Sequence, residues 1–244
     1  MKAFAKITAT ETKLSLRTPF MAIAGILLPT AVLLAVGAIP GMTQPSPAAG
    51  GHRFIDAWVP SLIVVSLAMP ALQSIPGAVA TYREQGVLRR LATTPIHPVN
   101  LLGAQLLIHV VIALAGIGLV LGVANAVYDV PLPQHPLEFL LTLLLGTVSM
   151  FALGLLAAAV ARTARAAGGF AMVAFVPAMF FGGGYLPRPL LPEVLQRIGD
   201  YVPPGTQPLQ DAWVGAGVQP LQLLALAGFA AIGTALAARF FRWE

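Results

Sequence analysis

Six stretches of this chain run for about twenty residues, the length that crosses a bilayer core as a helix, with no charge in their interiors. They lie at about 20–39, 58–80, 101–127, 137–160, 166–186 and 221–240, and the only charges they carry, Glu138 and Arg239, sit at span edges. The chain is 57% hydrophobic and 9% charged, against roughly 25% charged in soluble domains. A soluble core could not hide that much apolar surface, so the expected solvent is lipid. The expectation is an all-α membrane protein, residues 1–244 forming a single transmembrane domain of six helices.

Charge placement sets the orientation. With six spans both ends share a face. That face holds Lys2, Lys6, Lys13, Arg17, Arg83, Arg89, Arg90, Arg162, Arg165, Arg239 and Arg242; the other holds Arg53, Arg188 and Arg197. Basic loops stay in the cytoplasm, so both termini are expected there, in a multi-pass protein of the inner (plasma) membrane. The net charge of +5 is thus spent on topology, and no nucleic-acid partner is expected.

Residues 1–18 precede the first span. At about 100° per residue, Lys2, Lys6, Lys13 and Arg17 fall within roughly 60° of one another, and Phe4, Ile7 and Leu14 lie nearly opposite. That pattern predicts an amphipathic helix on the inner leaflet, although Glu11 intrudes on its apolar side. Between the fifth and sixth spans, Leu190, Leu191, Val194, Leu195 and Ile198, then Leu209, Ala212, Trp213 and Ala216, recur at helical spacing. They predict two short outer helices joined at Pro203-Pro204-Gly205. These either enter the outer end of the bundle or rest on the headgroups.

Several chemistries have no residues to perform them. The chain has no cysteine, and its three lysines all lie at or before position 13, so no P-loop exists. His52, His97, His109 and His135 are dispersed, without metal-binding spacing. No catalytic, cofactor-binding or metal site is expected. Ion-coupled transporters place ionisable groups at mid-membrane; their lack here implies that energy for transport comes from elsewhere. Gln73, Gln105 and His109, together with Phe175, Phe180, Phe181 and Tyr185, are the candidates for a cargo path or outer gate. Interhelical hydrogen bonding and ordinary packing are the competing roles. Gly118 and Gly122 have the spacing that permits close helix approach.

The most informative interruption is Thr81–Asn100, TYREQGVLRRLATTPIHPVN. Tyr82-Arg83-Glu84-Gln85-Gly86-Val87-Leu88-Arg89-Arg90-Leu91 followed by Thr94-Pro95 resembles the cytoplasmic segment after the second span of type-2 ATP-binding-cassette (ABC) permeases. That segment often reads Glu-Arg-Glu-x-Gly-Thr-Leu-Glu-x-Leu, then Ser/Thr-Pro; Tyr82, Val87 and Arg89 depart from it. Phe181-Gly182-Gly183-Gly184-Tyr185-Leu186-Pro187 resembles the end of that family's fifth span, and Tyr201 to Trp213 its outer helices.

The resemblance covers essentially the whole chain and is closest to the drug and antibiotic export branch. It implies a permease subunit that pairs with a second copy or a close relative. Two separate ATPase subunits would dock beneath and carry the ATP and magnesium. Arg83, Glu84, Gly86, Val87, Leu88, Arg89, Arg90, Leu91, Thr94 and Pro95 would form the coupling helix that meets the ATPase, with Val87, Leu88 and Leu91 packing into its groove. The chain itself would not be an enzyme. A hydrophobic or amphipathic cargo is expected: a drug, antibiotic, lipid or polysaccharide precursor. The alternatives are an ion-gradient-driven transporter or a membrane assembly factor.

Overall fold

The computed structural model describes residues 2–17, 20–45, 53–92, 99–161, 163–185, 191–214 and 217–241. The described elements are helical: α1 (Lys2–Arg17), α2 (Phe20–Gly37), α3 (Phe54–Ala68), a π-helical turn (Met69–Ser74), α4 (Ile75–Glu84), α5 (Val87–Ala92), α6 (Val99–Tyr128), α7 (Pro136–Val160), α8 (Ala164–Phe181), α9 (Glu193–Gly199), α10 (Thr206–Val214) and α11 (Pro220–Phe240).

Among the described residues, five helices are long and apolar enough to cross a membrane: Phe54–Glu84, Val99–Tyr128, Pro136–Val160, Ala164–Phe181 and Pro220–Phe240. The apolar α2 is shorter; its segment Ala22–Gly37 falls below the length of those five. Leucines and valines stand exposed on the outer faces, Leu137 at 81% and Val173 at 73%, as lipid-facing residues do.

The second apolar run forms the axis of the bundle. The sequence places it at 58–80, but it extends to Phe54–Glu84 and takes in the start of the charged interruption. Pro70 and Pro76 sit at and just beyond its π turn. Neither can donate to the helical ladder, and the widened turn eases the clash of each ring with the carbonyl a turn earlier. The Ile75 N–H accordingly reaches the Pro70 carbonyl, five residues back. Val59, Leu62, Ile63, Leu67, Leu72 and Ile75 of this helix are buried in the core, where α2, α6, α7 and α8 pack against it.

Helices in lipid gain little from burying leucine against leucine, so close approach at small residues carries much of the packing. A Cβ built on Gly154 of α7 would overlap the Ala71 carbonyl of the π turn, and one on Gly116 of α6 would lie 3.0 Å from the Gly25 carbonyl oxygen of α2. The expected Gly118–Gly122 pair takes no part in such contacts: nothing lies within 4 Å of a Cβ at either position.

The outer helices divide. Leu209, Ala212 and Trp213 of α10 are buried in the main core, with Trp213 edge-on to Phe139 at 5.7 Å between ring centroids. So α10 enters one end of the bundle, packed against α3 and α7. By contrast α9 leaves Val194 68% and Ile198 46% exposed.

Gly154→Val should cost about 1–3 kcal/mol through overpacking, while Gly118→Val should be nearly neutral. Thermal unfolding of the two detergent-solubilised variants distinguishes them, and equal midpoints would refute the close approach at Ala71.

Candidate functional site

The charged interruption begins as the last turn of the axial helix. α4 runs to Glu84 and is capped at Gln85; Gly86 takes φ +68 and α5 starts at Val87. A side chain rarely adopts that backbone conformation, and glycine does so freely. Arg83 and Glu84, expected on the coupling helix, therefore belong to the end of the second span, and only Val87 onward forms the separate short helix.

Tyr82, Arg83 and Glu84 fasten three different parts of the bundle. The Tyr82 hydroxyl donates to Glu11 Oε2 of α1 at 2.5 Å, and Gln105 Nε2 of α6 donates to the same oxygen at 2.6 Å. Arg83 Nη1 donates to the Ala158 carbonyl at 3.0 Å and also to the Ala161 carbonyl, at the C-terminus of α7. Its guanidinium carbon lies 5.5 Å from the Phe241 ring centroid, just past α11. Glu84 Oε1 accepts from the Ala164 N–H at 2.8 Å, at the N-terminus of α8. A cation thus meets the negative end of one helix dipole and an anion the positive end of the next. Thr163 completes the α8 cap by accepting from the Ala166 N–H at 3.1 Å.

Glu11 is the residue that sequence reasoning noticed without explaining. Its place on the apolar side of α1 turns it inward, where it is 8% exposed. On the opposite side of α1, Lys6, Lys13 and Arg17 are exposed; Phe4 and Ile7 are half-buried, and Leu14 is 45% exposed. The side chain of Lys2 lies outside the described residues.

On α5, Leu88 is 1% exposed. This chain covers it, so it seats the short helix on the bundle and does not stand free for a partner's groove. Val87 is half-buried, and Glu84, Gln85 and Arg90 are exposed. The side chains of Arg89 and Leu91, and Thr94 and Pro95 entirely, lie outside the described residues.

The polar candidates of the cargo path come together. Gln73, Gln105 and His109 line one cavity of about 420 Å³ with Glu11, Leu14, Ser15, Ala22, Pro70, Ser74, Gly77, Ala78, Tyr82 and Ile112. The aromatic candidates lie elsewhere. Phe175 packs on the main core, Phe180 and Phe181 stack edge-on at 5.5 Å between centroids, and Tyr185 is 59% exposed. The glycine turn between Phe181 and Tyr185 is held to the axial helix: Trp58 Nε1 donates to the Gly183 carbonyl at 3.0 Å.

At the opposite end of the axis, Arg53 repeats the pattern of Arg83. It forks onto Asp56 at 2.7 and 2.8 Å and donates to the carbonyls of Tyr128 and Asp129 at the C-terminus of α6. The hydrogen bond to Asp56 raises its already high pKa against the opposing effect of burial, so it stays a cation.

A family model described as "ABC-2 type transporter" matches residues 2–205. No curated protein and no solved structure matches the chain.

Arg83→Met leaves two helix-end carbonyls without their charged donor and should cost about 1.5–3 kcal/mol. A melting temperature unchanged from the parent protein would show that the tether carries no load.

Proposed function

The chain belongs to the ABC-2 type transporter family, and from that membership we propose that it is the permease subunit of an ATP-driven exporter. It is a multi-pass membrane protein whose family works with an ABC ATPase. In our reading α2 also crosses the membrane, as the first of six spans, both termini face the cytoplasm of the inner (plasma) membrane, and α1 lies along the inner leaflet. Two permease chains, identical or related, sit over two ATPase subunits. ATP and magnesium act on those subunits, and this chain performs no catalysis. The cargo is hydrophobic or amphipathic.

The observation that carries this reading is the position of Tyr82, Arg83 and Glu84. They tie the axial helix to the middle of α1, which Gln105 links to α6, and to the facing ends of α7 and α8, immediately before α5. An ATPase that moved α5 would pull on the turn at Gln85–Gly86 and, through it, on four helices at once. Docking falls to the exposed part of this region, with Arg90 meeting acidic groups on the ATPase. Leu88, being buried, holds α5 in place.

The tagged chain, purified from its native membrane in mild detergent, should bring down a P-loop ATPase that hydrolyses ATP. Arg90→Glu should insert normally and weaken that association about tenfold, ~1.4 kcal/mol. A chain that purifies alone after in-membrane cross-linking, and whose transport follows an ion gradient, would overturn the proposal.

A further inference from the structure

The cavity beside the axial helix has a chemistry of its own. Pro70, Gln73, Ser74, Gly77, Ala78 and Tyr82 form one wall. From Gln73 to Tyr82 that wall runs nine residues, roughly 13 Å along the helix. Its middle is narrow in side chains: a Cβ on Gly77 would meet nothing within 4 Å. Leu14, Ala22, Pro70 and Ile112 supply apolar surface. The volume, about 420 Å³, lies in the range of small-molecule sites, roughly 300–1,000 Å³.

Three of its polar groups present acceptors. Glu11 uses Oε2 for both of its hydrogen bonds, from Tyr82 and Gln105; Oε1 has no partner among the described residues. His109 Nδ1 lies 2.8 Å from the Gln105 carbonyl oxygen. A carbonyl can only accept, so Nδ1 holds the proton and Nε2 of the neutral ring is an acceptor. Gln73 donates its amide nitrogen to Met172 Sδ at 3.6 Å, which leaves its carbonyl oxygen as an acceptor. No lysine or arginine is among the described residues lining the cavity. A carboxylate oxygen, an imidazole nitrogen and an amide oxygen beside apolar walls call for N–H donors and positive charge on an apolar body.

We infer that this cavity binds the protonated amine of an amphipathic molecule, with Glu11 as counter-ion and His109 and Gln73 as further acceptors. As a cargo site it rests on the transporter reading; as a binding site it stands alone. The amine has two possible sources, a cargo molecule or the ethanolamine headgroup of a lipid.

The test uses the full chain in nanodiscs of phosphatidylcholine and phosphatidylglycerol. The probe is dansylcadaverine, which carries a primary amine on an apolar body, with its N-acetyl derivative as the uncharged control. Saturable binding of the amine, at least tenfold tighter than the control, is expected. Glu11→Gln should remove that preference, and Gly77→Leu, which grows into open space, should abolish binding of the amine. Competition by added phosphatidylethanolamine would support the site as a lipid site; indifference to it would support a cargo site. Equal affinity for amine and control, or amine binding unchanged in Gly77→Leu, would overturn the inference, and Gly77→Leu decides even if Glu11→Gln does not fold. Failure here with the ATPase still co-purifying would sink the amine site and leave the transporter reading standing.

Discussion

The carbonyls in the last turn of every helix lack a partner in the ladder, and within a bilayer water is not there to supply one. This chain meets that constraint at two helix ends with one device, an arginine on the axial helix or its immediate flank. Arg53 closes α6 at one end of the axis and Arg83 closes α7 at the other. The helix from Phe54 to Glu84 is thus pinned at both ends to different neighbours. Its middle is pinned by shape, where Gly154 admits the Ala71 carbonyl. The remaining contacts of the bundle are arranged around a helix that cannot slide along its own axis without breaking a charged hydrogen bond.

The two ends differ in what else is attached. At the Arg53 end, the Tyr128 ring covers Gly37 and its hydroxyl donates to the Leu34 carbonyl at 3.2 Å, so α2, the axis and α6 lock to one another. Glu138 accepts from the Val218 N–H at 2.7 Å, and Ser149 donates to the Leu226 carbonyl at 2.9 Å, joining α7 to α11. At the Arg83 end the same role falls to three adjacent residues, followed at once by a glycine in the left-handed region. Order on one side of that glycine and a short separate helix on the other suit a segment that transmits force.

The apolar runs were legible because bilayer thickness sets their length and charge is excluded from their interiors. The break at Gly86 was not legible: the sequence placed Gly86 inside the coupling helix, and so also missed that Arg83 and Glu84 fall on its span side. Partner choice was not legible either. Glu11 finds Tyr82 and Gln105 across 71 and 94 positions, and no periodicity carries that distance. An acid on the apolar sector of α1 was the available signal: burying an unpaired carboxylate is costly, so its position implied donors nearby. Glycine spacing misled, because Gly118–Gly122 has the right interval on a surface that meets nothing, while Gly154 and Gly116 pack closely with no glycine partner at that interval. The split between α9 and α10 was equally hidden, since both have a helical apolar pattern and only the rest of the bundle selects the one that enters.

Tyr82 belongs to two structures at once. Its hydroxyl holds Glu11, and its side chain lines the cavity whose acceptors include that same carboxylate. It also precedes Arg83 and Glu84, which hold α7 and α8. An occupant held at Oε1 of Glu11 would share that carboxylate with the Tyr82 hydroxyl on Oε2, and so bear on the tether between α1 and the axial helix. By linkage the effect runs both ways: a displacement of α5 that loosened the turn at Tyr82 would change the affinity of the cavity by the same free energy. The coupling is short, from α5 along the backbone of the Gly86 turn to Tyr82, and from the Tyr82 hydroxyl to Glu11 by a hydrogen bond.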